Sequence, residues 1–322
     1  MPARSGSDLG VSVVIITRNR KDSLLLVLDR LVGAPVDETI VVDNDSADGT
    51  AEAVRTRSGV KLLESGGNVG IEGRNIGARA ARNELLLMLD DDAYPLPGAI
   101  ETLAAAFAAN PRLGAAAGFV RDVTADGDVI RATEVGTFDW WLRGGRSGDA
   151  PDGLPTFSIP EGASMLRRRA FLDAGGFFAP YFLTNEGLDL SARLYALGWE
   201  VRYFPAAPFD HLKAESERQS PHANIHLRVR NHLWYLWLRF PAFLALRRAG
   251  GYLLFDLIES VYRGVPGAWC RGVRDAWRLR ARVRGERNPL PRAVIRRAEL
   301  NRGRMHARLL GAQLARRVRR TP

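Results

Sequence analysis

The first 120 residues alternate between two apolar patterns, and this alternation constrains the fold more than any other feature. Four short runs are apolar at nearly every position, namely 11–16, 39–42, 60–63 and 85–89. Between them, apolar residues recur every three or four positions, as in KDSLLLVLDRL at 21–31. Fully apolar strands separated by amphipathic helices are typical of a parallel sheet covered on both faces. The sequence therefore predicts an α/β fold with a Rossmann-like, doubly wound, mostly parallel sheet.

Polar residues follow three of these apolar runs, at the points where the predicted strands end. They are Thr17, Arg18 and Asn19, then Asp43 and Asn44, and finally Asp90, Asp91 and Asp92. Doubly wound sheets bind ligands at the carboxyl ends of their strands. We therefore expect these residues to converge on one crevice.

The three consecutive aspartates at 90–92 put like charges side by side behind a buried strand. A solvated turn that caps a following helix would use aspartate in this way. Two carboxylates at such a strand end could equally chelate a hard divalent cation, Mg²⁺ or Mn²⁺, that bridges to phosphate oxygens. The motif alone leaves both interpretations open.

The second half of the chain predicts a mixed segment followed by helices. A strand is expected at 162–166, helices at 169–174 and 186–197, and a strand at 199–203; residues after Pro221 read as helical throughout. We therefore predict an α/β domain at 1–215 and a helical C-terminal region at 216–322.

The C-terminal region is strongly basic. Residues 263–322 contain 18 arginines and three acids, a net charge of +15, whereas the whole chain carries +10. An anionic membrane surface or a nucleic acid would suit such a charge, although 43 arginines against three lysines also fit a coding bias. A single cysteine and the lack of an apolar leader predict a reducing, cytoplasmic setting.

Five segments occur in a characteristic order: SVVIITRNR, IVVDNDSADGT, GGNVGIEGRNIGARAARNELLLMLDDDAYPLPGAI, GASMLRRRAFLDAGGFFAPYF and NEGLDLSARLYALGWEVRYFPAAPFDH. In this order they resemble the inverting glycosyltransferases of family 2, which have the GT-A fold of the nucleotide-diphospho-sugar transferase superfamily. The resemblance covers about residues 10–215. It implies a donor-binding half at about 10–120 and an acceptor half at about 121–215.

The resemblance implies a role for each polar residue at the strand ends. The nucleotide base and ribose would be held by Thr17, Arg18, Asp43 and Asn44, and Arg74 would lie near the nucleotide or its phosphates. In the DxD-like motif, Asp91 would face the ribose, Asp92 would bind the Mg²⁺ or Mn²⁺ that holds the diphosphate, and Asp90 would shape the turn on the donor side. His211 would help to hold the metal or the diphosphate.

The catalytic base is where the sequence departs from the family. Members commonly have Glu-Asp followed two residues later by Asp-Leu, and the second acid is the usual base; here Gly187 stands at that position. Glu186 is then the leading candidate and Asp189, one helical turn later, the second. Asp189 could instead form an i,i+4 pair with Arg193. Routes without a strong base also stay open.

The acceptor side and the tail are less constrained. Glu161 and either Trp140 or Trp141 could meet the acceptor. Tryptophans and leucines flanked by arginines after residue 230 fit helices that lie on an anionic membrane, at the inner face of the cell membrane. Helices that pack on the acceptor side of the catalytic domain, or that form a homodimer, would read in the same way.

The leading hypothesis is a metal-dependent inverting glycosyltransferase that moves a sugar from a nucleoside-diphosphate sugar to a hydroxyl acceptor, which is a small molecule, a glycan or a lipid-linked molecule. One alternative is a sugar-phosphate nucleotidyltransferase, which would be expected to have a glycine-rich loop after the first strand; TRNRKDS contains no glycine. The other is a basic nucleic-acid- or membrane-binding protein without catalysis. No specific nucleic-acid-binding motif supports it.

Overall fold

A computed structural model of the 322-residue chain describes residues 9–124, 126–133, 150–157, 159–213 and 221–296. These residues fall into two compact units. The first is an α/β unit that contains the described residues up to 213, and the second is a helical unit at 221–296.

Ten strands of the described residues form one sheet in the α/β unit. They are β1 (Val11–Thr17), β2 (Glu38–Asp43), β3 (Val60–Glu64), β4 (Leu85–Asp90), β5 (Ala93–Pro95), β6 (Leu113–Val123), β7 (Val129–Thr133), β8 (Leu154–Pro155), β9 (Ala163–Arg167) and β10 (Glu200–Leu212). The order is β3-β2-β1-β4-β9-β6-β10-β5, with β7 beside β6 and β8 beside β10.

The sheet has two parts with different pairing. Strands β1 to β4 pair with one another in parallel, as the apolar runs predicted. Beyond β4, strand β9 is antiparallel to both β4 and β6, and β10 is parallel to β6 but antiparallel to β5. The predicted α/β fold is confirmed, and its second part adds antiparallel pairs that the sequence did not indicate.

Six helices of the described residues belong to this unit: α1 (Lys21–Arg30), α2 (Thr50–Arg55), α3 (Glu72–Ala80), α4 (Ala99–Ala109), α5 (Arg168–Asp173) and α6 (Glu186–Ala196). The two faces of β1 explain why its sequence is apolar throughout. Val13 and Ile15 pack in a cluster that includes Leu24 of α1, whereas Val14 packs in a second cluster with Ala78 of α3. Strands buried on both faces lose the alternation seen in half-exposed strands.

Strand β10 is much longer than predicted. The sequence indicated a strand at 199–203, but the observed strand continues to Leu212. Pro205 and Pro208 lie in the added part, and proline disfavours the interior of a strand. The register between β10 and β6 shifts between Phe204 and Pro208, so the strand accommodates both prolines at an irregularity. Consequently His211 lies within β10 and not in a loop after a strand.

The helical unit contains α7 (Pro221–Arg239), α8 (Ala242–Tyr262) and α9 (Pro266–Arg278). Asp256 is 1% exposed and accepts from Arg228 Nε at 3.1 Å and pairs with His232 Nδ1 at 2.8 Å. Trp234 Nε1 donates to the Ala276 carbonyl at 3.0 Å, which ties α7 to α9. Among the helices described, none combines the length and the apolarity needed to cross a bilayer.

Candidate active site

The carboxyl ends of β1, β2 and β4 meet at one edge of the sheet, as predicted. Thr17 is opposite Asp43 in the β1–β2 register, and Ile16 is opposite Asp90 in the β1–β4 register. Parallel pairing therefore brings together residues that are more than 70 positions apart in sequence. Thr17 and Asp43 are buried at this edge, whereas Arg18 is exposed.

Asp43 and Asn44 occupy the end of β2. The carboxylate of Asp43 accepts from the Ser46 hydroxyl and, at 3.3 Å, from the Ser46 backbone N–H. The Asn44 side-chain N–H donates to the Gly70 carbonyl at 3.0 Å, but its Oδ1 is buried and accepts from no described residue. Buried polar atoms without a partner are rare in folded proteins, so this oxygen is free to accept from a bound ligand.

Arg20 is a site residue that the sequence analysis missed. Its Nη1 lies 3.0 Å from Asp91 Oδ1 and 2.7 Å from Asp92 Oδ2. Burial opposes the charge of Arg20, but Asp91 and Asp92 outweigh it and raise the pKa of the guanidinium. Burial also raises the pKa of Asp91 to about 7, against the opposing charge of Arg20. Both arginines of TRNR follow β1, but Arg18, the one expected at the donor, is exposed, and Arg20 is the one that contacts the aspartates.

Asp90, Asp92 and His211 lie together in a group that could hold a metal ion, which we call the cation group. Each offers one ligand atom, and these atoms all lie within 4.8 Å of one another. Asp92 Oδ1 is 3.1 Å from His211 Nε2, while His211 Nδ1 is 2.9 Å from Asp122 Oδ1. The antiparallel pairing of His211 with Ala93, the residue after Asp92, brings the imidazole to the aspartates. Carboxylate oxygens are the ligands that hard divalent cations prefer, and imidazole is a frequent ligand of transition metals.

The electrostatics of the cation group favour a charged carboxylate. Burial alone would raise the pKa of Asp92, but hydrogen bonding and charge from His211, with the charge of Arg20, lower it. Burial would lower the pKa of His211, but Asp92 and Asp122 raise it. Asp122 behind the ring also fixes its orientation, as carboxylates commonly do for metal-binding histidines.

Arg74 lies beneath the cation group. The side chain is 1% exposed; its Nη1 donates to the Leu89 carbonyl at 2.9 Å and its Nη2 pairs with Asp90 Oδ1. Its Nε is buried and donates to no described residue. In this structure Arg74 therefore holds Asp90 at the end of β4.

Glu186 begins α6 and is 2% exposed. Burial, followed by the charge of Glu161, raises its pKa to about 8. Its Oε2 is buried and accepts from no described residue. A carboxylate with a pKa near neutrality and a free oxygen has the properties of a general base.

Asp189, the second candidate base, lies one turn later and is completely buried. Its Oδ2 accepts from Arg193 Nε at 2.9 Å, and Arg193 Nη2 donates to the Gly176 carbonyl at 2.7 Å. The structure thus contains the i,i+4 pair that was the structural alternative for Asp189.

Glu161 precedes β9, and its Oε1 accepts from the Gly187 backbone N–H at 2.8 Å. Burial raises its pKa as well. Trp140 and Trp141, the aromatic candidates for the acceptor side, lie outside the described residues.

Comparison with known proteins shows which family this chain is similar to. Residues 12–175 match the model of the family described as glycosyl transferase family 2. The N-acetylglucosaminyl-diphospho-decaprenol L-rhamnosyltransferase of Mycobacterium tuberculosis is 28% identical over 230 residues, which cover 62% of this chain and 73% of that protein.

Three solved structures share the fold. GalNAc-T7 with UDP, GalNAc and Mn²⁺ has a TM-score of 0.59 at 15% identity, over 79% of this chain and 50% of that one. A mannosyltransferase of Pyrobaculum calidifontis with GDP-Man and Mn²⁺ has a TM-score of 0.54 at 19% identity, over 84% and 87%. S. aureus TarS with UDP-GlcNAc has a TM-score of 0.53 at 17% identity, over 79% and 72%.

Proposed function

Because this chain belongs to glycosyl transferase family 2, we propose that it is a metal-dependent, inverting enzyme that uses a nucleoside-diphosphate sugar as donor. One observation carries the proposal. A group of potential metal ligands stands at the carboxyl edge of the sheet, and two adjacent residues connect it to the start of α6: Gly162 lies against Asp90, and Glu161 accepts from the N–H of Gly187, the residue after Glu186. Displacement of a diphosphate requires a cation at the leaving group and a base at the acceptor, and this site has candidate residues for both close together.

The cation would be Mg²⁺ or Mn²⁺, held by Asp92 and His211 with Asp90 as a third ligand. A divalent ion at this position would stabilise the negative charge that develops on the departing diphosphate. Two of the solved structures that share the fold contain Mn²⁺ together with a nucleotide or nucleotide sugar. Arg20 and Arg74 supply further positive charge to this side of the crevice.

The donor nucleotide would lie along the ends of β1 and β2. A carboxylate such as Asp43 accepts from sugar hydroxyls or an imide N–H, and the free Oδ1 of Asn44 accepts in the same way. Thr17 and Arg18 would border this part of the site, and Asp91 would reach the ribose.

Glu186 would act as the base. In the transfer, the acceptor oxygen bonds to the anomeric carbon while the bond from that carbon to the diphosphate oxygen breaks. The hydroxyl proton passes to Glu186, and the electron pair leaves with the diphosphate. Asp189 would instead support α6 through Arg193, because its carboxylate is already in an ion pair.

We also propose a lipid-linked hydroxyl acceptor, with catalysis in residues 1–215 and membrane contact in 216–322. The mycobacterial relative acts on a decaprenol-linked acceptor. In α8, a stripe of exposed apolar residues follows helical spacing: Phe243, Leu246, Leu254, Ile258 and Val261. Residues 221–296 contain 15 arginines and four acids, so a unit with this net charge and this exposed stripe suits an anionic membrane surface.

The test of the enzyme is transfer or donor hydrolysis by the purified full chain, screened over UDP, dTDP and GDP sugars with Mn²⁺, Mg²⁺ or EDTA. We expect turnover that needs metal and that Asp92→Asn reduces roughly 100-fold or more. Asp22→Asn, at an exposed aspartate of α1, is the matched control. Metal-dependent turnover that persists in Asp92→Asn refutes the metal assignment, and pyrophosphate release from a nucleoside triphosphate supports the nucleotidyltransferase alternative.

The test of the membrane face is sedimentation with vesicles. We expect binding to phosphatidylglycerol vesicles, little binding to phosphatidylcholine, and loss of binding in a Leu246→Glu, Ile258→Glu double variant. Leu197→Glu changes an exposed leucine of the α/β unit and serves as control. The assignment of a membrane face is refuted if the double variant binds vesicles normally. It is also refuted if the wild type is a dimer that the same substitutions dissociate.

A further inference from the structure

The two-residue segment Glu161–Gly162 lies between the cation group and the first turn of α6. On one side, a Cβ placed on Gly162 would fall far inside contact distance of Asp90 Oδ2, so this glycine lets the Asp90 carboxylate lie against the backbone. On the other side, Glu161 Oε1 accepts from the Gly187 N–H at 2.8 Å. The same short segment therefore touches both halves of the site.

The space beside Gly187 is filled by the Glu161 side chain of this segment and by Ile159, which lies two residues before it. A Cβ at residue 187 would collide with the Ile159 carbonyl oxygen and would lie 2.6 Å from Glu161 Oε1. No larger side chain fits at 187 unless the segment moves. The Glu161 carboxylate therefore occupies the region into which a side chain at 187 would extend.

The charged groups around Glu186 come from three elements. Glu161 faces it from the segment before β9, Arg74 from α3, and Asp90 of β4 acts on Glu161. Glu186 Oε2 accepts from no described residue, while Glu161 is held by the helix backbone. The Glu161 carboxylate is thus held by the backbone N–H of the residue that follows Glu186, and the Glu186 carboxylate has one oxygen without a partner among the described residues.

We propose that Glu161 is a positioning residue for Glu186, which rests on the proposed role of Glu186 as base. By accepting from the Gly187 N–H, Glu161 fixes the first turn of α6 and sets where the Glu186 carboxylate points. The Glu161 carboxylate that orders this turn comes from the segment before β9. A glycine at 187 leaves the space that this carboxylate occupies.

The experiment compares Glu161→Gln and Glu161→Ala with wild type. Glutamine keeps an oxygen that can accept from the Gly187 N–H but removes the charge, whereas alanine removes both. We expect Glu161→Gln to keep most of the plateau kcat and to shift the acidic limb of the pH profile to lower pH, because a like charge facing Glu186 is gone. Glu161→Ala should lower kcat up to about 100-fold with the donor KM little changed, since a displaced base costs rate.

A second readout does not need turnover. Infrared difference spectra report the protonated Glu186 carboxyl, which is assigned by its loss in Glu186→Gln, and Glu161→Gln should move its titration to lower pH. Glu101→Gln, an exposed glutamate of α4, is the control. An unchanged carboxyl titration in Glu161→Gln, or equal rates in all three proteins, overturns the proposal. If the wild type turns over no donor but Glu161→Gln still shifts the titration of the Glu186 carboxyl, the proposed reaction is refuted. The positioning role of Glu161 then stands.

Discussion

Two regions of the crevice differ in whether their carboxylates are paired with arginine: the cation side, at Asp90 to Asp92, and the base side, at Glu161 and Glu186. On the cation side, Arg20 pairs with Asp91 and Asp92, and Arg74 pairs with Asp90. On the base side, Glu161 and Glu186 form no ion pair with any described residue. Burial raises the pKa of each of them. An arginine partner lowers the pKa of a carboxylate and so opposes burial, which still raises the pKa of Asp91 to about 7, whereas a like charge adds to the effect of burial at Glu186.

The largest effect is expected on the base side, from Glu186→Gln. An amide cannot take the acceptor proton, so kcat should fall roughly 10²- to 10⁴-fold. In the wild type, a raised pKa means that the carboxylate gains its proton as pH falls through about 8. Turnover should therefore decline below this pH, as kcat measured between pH 5.5 and 9.5 will show. A profile that is flat across this range contradicts the assignment of Glu186.

An intermediate effect is expected on the cation side, from Arg20→Ala. Without Arg20, Asp91 loses the positive charge that lowers its pKa against burial and the charges of Asp92 and Asp90, so it protonates at higher pH and binds the donor less well. We expect the dissociation constant of the donor nucleotide to rise about tenfold at pH 7, which corresponds to 1.4 kcal/mol. Arg57→Ala removes a surface pair with Asp29 and is the control. Equal affinities in calorimetry would show that Arg20 has no part in the site.

The smallest effect is expected where the two sides meet, from Gly162→Ala. The added methyl group must displace the Asp90 carboxylate, which is one of the three potential ligands. The Mn²⁺ concentration for half-maximal activity should rise a few-fold, because only one ligand of three moves. Gly250→Ala, which meets open space in α8, is the control. If Gly162→Ala leaves Mn²⁺ activation unchanged, Asp90 does not serve as a ligand.

The parallel part of the site was predictable because its signal is local. Strands β1 and β4 are buried along almost their whole length and β2 over its last four residues, so they read as apolar runs whose end residues could be assigned to one edge. Their detailed partners were not predictable. Arg18 and Arg20 differ by two positions in a loop, and only the backbone after β1 decides which one turns towards Asp91 and Asp92.

The antiparallel part was harder because its contacts join distant segments. Prolines at 205 and 208 hid the continuation of β10, and with it the pairing that brings His211 to Asp92. The contact between Glu161 and Gly187 spans 26 positions and gives no periodic signal. Gly187 could be identified as a missing acid, but the occupant of its space could not be read from the sequence.

The Glu161–Gly162 segment has a consequence for engineering. Acceptor specificity in such an enzyme is commonly altered by exchanging loops around the site. Because Gly162 lies against Asp90 and Glu161 against Gly187, a graft that replaces residues 159–162 changes both sides of the crevice together. A chimaera should therefore transplant this segment with the start of α6 as one block, and it should leave β4 and its aspartates to the host.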